Sequence, residues 1–491
     1  MSKLSRRDFI KSSMIAGATM AVAAPFSKVR GANNDIRIAV VGTGGQGGGH
    51  CQQWSRLERE GEGVRLVAVC DADLSHAERI KQSNPDVKVY QDVRELLNDK
   101  SIDAISSATP NHWHSLVTVW ACQAGKDVYI EKPVSHEIWE GRKMVEAARK
   151  YNRIVQTGTQ KRSSMAHKEA FEWIRAGNIG PIKWSRGFCY KYRGPGSNGI
   201  VNATNGPNPL PESIDYNLWC GPAEMKPLRR EKLHYNWHWV WNTGCGDIGN
   251  QGIHEMDLAR WALGDSAKAL APAVLSFGGR FGVDDAGETP NTLISYFDYK
   301  PAPLIFEVRG LNTNKEARRM DTYPGTSVDI GIVVQCEGGY WAARDAGGWV
   351  FDNDGNRIKQ FAGGGGGGHY RNFITAVRSR KMEDLNADIE KGHISSALCH
   401  MGNISYRIGQ QKSNEEIKEA IKNNSDMTDS YERMMANLQA NEIDFAKEPM
   451  TIGPILTMDP KIEKFTGEDS EWANMYVKRN YREPFVVPDQ V

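Results

Sequence analysis

The 491-residue chain has few cysteines, no long apolar run and no excess of charge of either sign. Its eight cysteines form no CxxC pair, so the sequence predicts neither a metal site nor a disulfide scaffold. Without a run of about 18 apolar residues, we expect no membrane span. A formal net charge of +1 argues against a nucleic-acid partner. The length instead allows a large core and two or more domains.

Residues 1–33 are predicted to be an export signal and linker rather than part of the fold. Ser5–Lys11 reads SRRDFIK, the form of a twin-arginine signal, and a Gly/Ala-rich apolar segment follows over residues 14–24. That segment is too short to span a bilayer as a stable helix. Because the twin-arginine route carries folded proteins, we expect a periplasmic or otherwise exported protein whose cofactor is inserted before export.

A dinucleotide site is indicated where a short β-branched run, Ile36–Val41, leads into glycines at GxGxxG spacing. Such glycines allow a tight turn and let the backbone approach a pyrophosphate at a helix N-terminus. A second apolar run, Val64–Cys70, ends in Asp71, where a carboxylate binds the adenosine ribose and repels a 2′-phosphate. The cofactor is therefore predicted to be NAD rather than NADP. The loop residues expected to contact it are Gly42, Thr43, Gly44, Gln46 and Gly47.

Alternating strands and helices predict an α/β Rossmann domain, a doubly wound parallel sheet, over residues 34–160. Residues 161–410 are predicted to form a C-terminal α+β domain with an open, mostly antiparallel sheet. Residues 411–491 are predicted to be a C-terminal extension. The strands expected in the first domain are Ile36–Val41, Val64–Cys70, Ile102–Ala108, Asp127–Ile130 and Ile154–Thr157, and a helix is expected over His136–Lys150.

In the second domain, a helix over Met165–Arg175 leads to the first long strand. Six consecutive glycines, Gly363–Gly368, predict a mobile surface loop before a helix over Tyr370–Arg380. The strands expected in this domain are Ile182–Tyr190, Leu293–Tyr299, Leu304–Arg309 and Ile330–Cys336.

Two polar motifs follow the third and fourth predicted strands of the first domain. They are Thr109–His114 (TPNHWH) and Glu131–Pro133 (EKP). Ligands of such sheets bind beyond the carboxyl ends of the strands, so both motifs are expected to face the nicotinamide. A lysine there can hydrogen-bond a substrate hydroxyl and stabilise the alkoxide formed from it. The predicted site residues in these motifs are Thr109, Pro110, Asn111, His114, Glu131 and Lys132.

In their order, the glycine loop, Asp71, the two motifs and a later His254–Asp257 (HEMD) resemble the glucose-fructose oxidoreductase, inositol dehydrogenase and rhizopine-catabolism (Gfo/Idh/MocA) family. The resemblance covers roughly residues 34–410. It implies a Rossmann domain followed by an α/β domain whose sheet often mediates oligomers, so we expect a homo-oligomer. It also implies that Lys132 lies beside the nicotinamide and the substrate, and that His254 accepts a proton.

One position departs from the family pattern. Four residues before the histidine, where family dehydrogenases usually carry aspartate, this chain has Asn250. On a helix, Asn250 and His254 share a face, so the amide can still position a substrate hydroxyl, but it cannot ionise. Asp247 either replaces the missing charge or, as the simpler alternative, caps a helix.

Aromatic residues are concentrated just before this segment, in Tyr235–Asn242. The tryptophans either bury the apolar face of a sugar ring or fill the interdomain core. Tyr190, Lys191 and Arg193, at the end of a predicted strand, either contact substrate or are simply solvated.

The function predicted from these features is an NAD-dependent oxidoreductase that acts on a carbohydrate CH–OH group. Free NAD is scarce outside the cytoplasm, which favours a tightly held cofactor that is reduced and reoxidised within one cycle. One alternative is a redox-assisted glycoside hydrolase of the α-N-acetylgalactosaminidase kind, favoured by Asn250 and the aromatic segment. Another is a non-catalytic, nucleotide-holding sugar-binding protein. Lys132, His254 and Asn250 are the predicted catalytic residues.

Overall fold

The computed structural model describes residues 35–491. The predicted export signal lies outside the described residues. Residues 36–157 form a Rossmann domain around a parallel sheet, which confirms the predicted fold. Its strands are β1 Ile36–Val41, β2 Val64–Cys70, β3 Lys88–Tyr90, β4 Ala104–Ser107, β5 Asp127–Ile130 and β6 Val155–Thr157. Its helices are α1 Gly45–Arg59, α2 Leu74–Ser83, α3 Val93–Asn98, α4 Asn111–Gln123 and α5 Ile138–Lys150.

The six strands lie in the order β3-β2-β1-β4-β5-β6. β4 and β5 are buried along their whole length, as expected for parallel strands covered by helices on both faces. The strand order reverses between β1 and β4, and ligands of doubly wound sheets bind at such a point. The loops that follow β1, β4 and β5 carry the glycine loop and the two polar motifs to this edge.

The second domain is built on a large mixed sheet. Within the described residues, β7 and β10 pair in parallel and the other pairings of this sheet are antiparallel, as predicted. The strands in chain order are β7 Ile182–Tyr190, β8 Ala273–Gly279, β9 Thr292–Phe297, β10 Leu304–Arg309, β11 Ile330–Cys336, β12 Gly339–Arg344, β13 Gly347–Phe351, β14 Arg357–Ala362, β15 Gln410–Lys412, β16 Met450–Ile452, β17 Leu456–Asp459 and β18 Lys464–Thr466.

Helices cover both faces of this sheet. The helices are α6 Met165–Arg175, α7 Tyr216–Cys220, α8 Gly246–Asn250, α9 Gly252–Leu263, α10 His369–Ser379, α11 Ile389–Arg407, α12 Asn414–Ile421, α13 Ser425–Ala440 and α14 Ser470–Asn474. Short 3₁₀ turns occur at Gln160–Ser163, Asn236–Trp239, Gly264–Ala267 and Met382–Asp384. Helices α9 and α11 pack on one face, whereas Ile417 and Leu438 of α12 and α13 pack against Phe277 and Ile305 on the other.

The C-terminal residues pack against both domains. β16–β18 join the large sheet beside β8, and Phe485 and Val487 pack into the Rossmann core with Trp113. Helix α10 also packs on the Rossmann domain, where Phe373 contacts the cluster around Trp54. Residues 411–491 are thus integrated into the fold. Among residues 35–491, none of the helices combines the length and apolar character that a bilayer span requires.

The structure matches the predicted bounds of β1, β2, β5, β7, β10, β11 and α6. No strand was predicted at β3, β8 or β12–β18. The three residues of β3 are exposed or half-buried and show no apolar run. Residues 363–368 connect β14 to α10 without regular structure, as the glycine run indicates.

Candidate active site

A cleft of about 620 Å³ lies between the carboxyl edge of the Rossmann sheet and the second domain. It brings together residues that are distant in the sequence. The predicted site residues that line it are Gly42, Gly44, Gln46, Asp71, Thr109, Pro110, Asn111, His114, Glu131, Lys132, Asn250 and His254. The two remaining predicted residues, Thr43 and Gly47, lie behind this wall and shape the glycine loop.

The glycine loop is too tightly folded for side chains at two positions. Gly42 has φ +76°, and a Cβ on it would lie 2.8 Å from the backbone nitrogen of Thr109. A Cβ on Gly47 would lie 1.7 Å from the carbonyl oxygen of Gly42. Gly42 therefore lets the turn after β1 pack against the loop after β4, and Gly47 lets α1 pack against that turn. The N-terminus of α1 points its free N–H groups at the cleft, as a pyrophosphate site requires.

Asp71 directly follows β2 and fixes the glycine loop through hydrogen bonds. Its Oδ2 accepts hydrogen bonds from the backbone nitrogen of Thr43 at 2.7 Å and from its hydroxyl at 3.2 Å. Arg79 of α2 donates to the carbonyl oxygens of Thr43 and Gly44 at 3.3 Å. The carboxylate remains part of the cleft wall, so loop, helix N-terminus and acidic residue fit the adenosine and pyrophosphate parts of NAD.

Glu131 is the centre of a buried hydrogen-bond network beneath the cleft. Its carboxylate accepts from His50 at 3.1 Å, from Gln160 at 3.3 Å and from the backbone nitrogen of Lys132 at 3.2 Å. Burial raises the pKa of Glu131, but the hydrogen bond from His50 and the neighbouring positive charges outweigh burial and lower the pKa to about 2. His50 and Gln160, which were not predicted as site residues, hydrogen-bond to this carboxylate. The carboxylate next to Lys132 is therefore ionised.

Lys132 and His254, which come from different domains, both line the cleft. The Lys132 ammonium donates to the backbone carbonyl of Asn250 at 3.0 Å, which fixes it at the junction of the two domains. His254 lies in the first turn of α9, and its Nδ1 is buried without a hydrogen-bond partner in the described part of the chain. Burial and the charges of Lys132 and Lys161 hold the pKa of His254 well below 6.5. The imidazole is therefore neutral and able to accept a proton.

Asp247 does not supply the missing charge at the cleft. Its carboxylate is buried and forms a bidentate ion pair with Arg193, at 2.6 and 2.8 Å. This pairing also removes Arg193 from the candidates for substrate contact. Tyr190 is buried against Glu307, to which its hydroxyl donates at 2.6 Å. Lys191 donates to the side chain of Gln251 at 2.9 Å, and Gln251 lines the cleft, a position that the sequence analysis missed.

The histidines of the TPNHWH motif serve mainly to join loops. His114 lies 2.6 Å from the carbonyl oxygen of Pro133 and 2.8 Å from that of Thr109, so it links the two motif loops. His112 contacts the carbonyl oxygen of Trp219 at 3.0 Å. Burial lowers the pKa of both imidazoles.

A long connection between β7 and α8, residues 191–245, covers the mouth of the cleft, and we call it the strap. It carries the aromatic segment, which divides between two environments. Tyr235, Trp237 and His238 line the cleft, and the rings of Trp237 and His238 stack at 3.6 Å. Trp239 is buried beneath Arg193, whose guanidinium lies 4.8 Å from the ring. Some of the aromatic rings thus face the cleft, whereas others form core.

The chain matches two models of one protein family. The model described as oxidoreductase family, NAD-binding Rossmann fold, matches residues 36–159. The model described as oxidoreductase family, C-terminal alpha/beta domain, matches residues 179–278. The NAD-binding character of the first domain agrees with the cofactor expected from Asp71.

The chain spans less than half the length of the curated relatives it matches. Glycosyl hydrolase family 109 protein 2 of Shewanella sp. (strain ANA-3) is 31% identical over 170 residues, which cover 28% of this chain and 36% of that protein. The scyllo-inositol 2-dehydrogenase (NAD(+)) of Bacillus subtilis (strain 168) is 30% identical over 155 residues, 32% of this chain and 44% of that protein.

Among solved structures, the WlbA dehydrogenase from Bordetella pertussis in complex with NADH and UDP-GlcNAcA is similar with a TM-score of 0.54. The match is 20% identical and covers 76% of this chain and 97% of that chain. This likeness shows a shared fold. The two domain matches lie in the order that the motifs predicted, so residues 36–159 and 179–278 are similar to the two domains of the Gfo/Idh/MocA oxidoreductases.

Proposed function

We propose that the protein is an NAD-dependent oxidoreductase that acts on a secondary hydroxyl of a carbohydrate. The observation that carries this proposal is the convergence of Lys132 and a neutral, unpartnered His254 on one cleft with the glycine loop. Bound NAD supplies the acceptor for the hydrogen that leaves the carbinol carbon. The protein must therefore orient the hydroxyl, take its proton and stabilise the charge that develops on its oxygen.

His254 is proposed to take the proton. The depressed pKa keeps the imidazole unprotonated at neutral pH, which is the form that a general base must have before it accepts a proton. His254 lines the cleft, and its Nδ1 has no hydrogen-bond partner among residues 35–491, so no protein contact to that nitrogen competes with a substrate hydroxyl for the imidazole. In the reverse direction the imidazole would return the proton.

Lys132 is proposed to stabilise the alkoxide. Its ammonium has three N–H donors, and the Asn250 carbonyl accepts one of them. A charged donor held in place before the reaction stabilises developing negative charge without the cost of reorganisation. The ionised Glu131 next to it, fixed by His50 and Gln160, positions the backbone at Lys132.

The carbohydrate class is supported by two features. Tyr235 and Trp237 of the strap present aromatic surface to the cleft, which suits the apolar face of a sugar ring. Of the two relatives described above, one is named as a scyllo-inositol 2-dehydrogenase and the other as a glycosyl hydrolase.

To test these roles, Lys132→Ala and His254→Ala should be assayed on a panel of sugars and polyols, with Lys168→Ala as the control. Lys168 is exposed on α6, away from the cleft. We expect turnover to fall by about two to four orders of magnitude in the two site variants. Nucleotide content and thermal unfolding should remain near wild type. Near-normal turnover in either variant would overturn the assignment.

We further propose export by the twin-arginine route to the periplasm and a cofactor that remains bound through successive cycles. Retention in a compartment poor in NAD requires a dissociation constant below micromolar, more than about 8 kcal/mol of binding free energy. The strap over the cleft is the cover that such retention needs. After exhaustive dialysis, the protein should interconvert paired sugars without added nucleotide. A need for millimolar NAD, with one NADH formed per turnover, would contradict this part of the proposal.

Redox-assisted glycoside hydrolysis is the second candidate, favoured by the similarity to a glycosyl hydrolase family 109 protein and by the uncharged Asn250. A chromogenic glycoside separates the two functions. Release of its aglycone with no net change in nucleotide redox state would identify a hydrolase. Sugar interconversion without aglycone release would identify an oxidoreductase.

A homo-oligomer is proposed to form through the C-terminal sheet. Because α12 and α13 cover β8–β10, we propose that β11–β14 supply the contact surface. Light scattering during size-exclusion chromatography tests this, and a monomeric mass at micromolar concentration would refute it.

A further inference from the structure

Two imidazoles and a carboxylate form a cluster next to Asp71, and both imidazoles line the cleft. They belong to Asp73 and His76 of the Rossmann domain and to His234 of the strap, and one ligand atom of each lies within 4.8 Å of the others. The His234 Nε2 lies 3.0 Å from the Asp73 Oδ2, and the His76 Nε2 lies 3.7 Å from the same oxygen. None of these residues takes part in the chemistry proposed above.

Asp73 is held in place by its role at the start of α2. Its Oδ1 accepts hydrogen bonds from the backbone nitrogen of Ser75 at 3.0 Å and from the Ser75 hydroxyl at 2.7 Å. This N-cap leaves Oδ2 directed at the two imidazoles. An isolated β-bridge between Asp73 and Ile214 fixes the strap alongside. One carboxylate oxygen is thus committed to the fold and the other is presented to the histidines.

His76 is oriented from its opposite side. Its Nδ1 lies 3.4 Å from the Asp71 Oδ2, so the ring can donate to that carboxylate and present an unprotonated Nε2 to the cluster. Histidines that bind metal ions commonly donate their second ring nitrogen to a carboxylate in this way. The centroids of the His76 and His234 rings lie 4.5 Å apart, and the ring planes are tilted by 48°, so the two imidazoles are direct neighbours.

From this geometry we propose that Asp73, His76 and His234 bind a divalent transition-metal ion of the Zn²⁺ class. Two imidazole nitrogens and a carboxylate oxygen are a ligand set that suits Zn²⁺, and a fourth position would be left to water. Ligand atoms around a tetrahedral Zn²⁺ lie about 3.3 Å apart, given bond lengths of about 2.0–2.1 Å. The two carboxylate–imidazole separations, 3.0 and 3.7 Å, bracket that value, and all three ligand atoms lie within 4.8 Å of one another.

Such a site would tie the strap to the Rossmann domain. Two ligands come from the start of α2 and the third from residue 234, more than 150 positions away in the chain. His234 immediately precedes Tyr235, which lines the cleft. Binding of the metal therefore clips the strap over the nucleotide end of the cleft. The clip depends on the fold and not on the proposed oxidoreductase activity.

The test is direct measurement of metal binding by the full-length protein. After treatment with a chelator, Co²⁺ is titrated in and its visible absorption recorded, and Zn²⁺ is then used to displace it. We expect one equivalent to bind with a dissociation constant below about 10 µM. His234→Ala should weaken binding at least tenfold, whereas Lys232→Ala, two residues away and exposed, should leave it unchanged.

Asp73→Asn is the second variant, because asparagine still caps α2 but is a poorer metal ligand. It too should weaken Co²⁺ binding at least tenfold while circular dichroism stays unchanged. Absence of saturable binding by the wild type, or equal affinity in the wild type, His234→Ala and Asp73→Asn, would overturn the site. Zn²⁺ should also slow tryptic cleavage after Lys232 in the wild type and not in His234→Ala. Equal cleavage rates with and without Zn²⁺ in the wild type would overturn the clip.

Discussion

The preference for NAD over NADP should depend on the single charge of Asp71. A 2′-phosphate on the adenosine ribose would bring negative charge next to this carboxylate, whose side chain is only 10% exposed. Two unit charges 4 Å apart repel by about 1 kcal/mol in water and by about 4 kcal/mol at an effective dielectric constant of 20. Because Asp71 is largely buried, we expect the wild type to bind NADP at least tenfold more weakly than NAD, a difference of about 1.4 kcal/mol.

Asp71→Asn removes the charge but keeps one oxygen for the hydrogen bond from Thr43. The ratio of the two dissociation constants should fall towards one, and NAD itself should bind more weakly because the glycine loop loses an ionic acceptor. Calorimetric titration of both nucleotides measures the ratio, and Asp86→Asn, an exposed acid, controls for net charge. An unchanged ratio in Asp71→Asn, or a wild type that binds NADP as tightly as NAD, would refute the reasoning.

The remaining predictions concern protonation and packing. Because the pKa of His254 is held well below 6.5, the acid limb of the pH profile of kcat/KM should lie below pH 6.5. Asn250→Asp places a carboxylate nearby and should move this acid limb to higher pH. An acid limb at the same pH in the variant and the wild type would contradict this. Gly47→Ala should abolish nucleotide binding, measured by fluorescence titration, whereas Gly49→Ala, whose Cβ would meet nothing within 4 Å, should bind normally. Hydrogen bonds and charge from His393 and Arg142 outweigh burial and lower the pKa of Glu463 to about 2, so its stabilising contribution is present above pH 4.5 and lost as the pH falls towards 2. Glu463→Gln should therefore lower the free energy of unfolding in urea by about 3 kcal/mol at pH 7 and change it little at pH 2, and equal losses at both pH values would argue against this.

Much of the site could be predicted because its signals are local in the sequence. The glycine loop, Asp71 and the EKP motif each follow a strand, and parallel strands bring their carboxyl ends to one edge whatever the rest of the chain does. Even His254, far along the chain, could be placed by the order of the motifs. The structure brings these predicted residues to one cleft.

Pairings between distant residues could not be predicted. Nothing near Arg193 or Asp247 indicates that they form one buried ion pair, since 54 positions separate them. The same holds for the support of Glu131 by His50, which precedes it by 81 positions. In each case the partner is chosen by tertiary packing, and a single sequence carries no signal for that choice.

In contrast, the sequence does carry a signal for the helices that cover the large sheet, because their apolar residues recur at helical spacing. Ile417 and Ile421 are four residues apart, as are Met434 and Leu438, and both pairs form apolar stripes on helices. The many charged residues between them lie on the solvent-facing side of the helices and obscure these stripes in the sequence. The helical spacing of the apolar residues in 414–440 nevertheless indicates a segment that covers an apolar surface.

The departure from the family pattern at Asn250 changes the charge of the site more than its geometry. Lys132 is held by the backbone carbonyl at this position, which any residue would provide, so the loss of the family's carboxylate does not displace the ammonium. Asp247 cannot compensate, because Arg193 already pairs with it. His254 therefore faces the cations Lys132 and Lys161 with less opposing negative charge, and these cations add to burial in disfavouring the imidazolium. The low pKa keeps the imidazole neutral but makes it a weaker base than a histidine paired with a carboxylate, so it returns the proton readily when the cycle reverses.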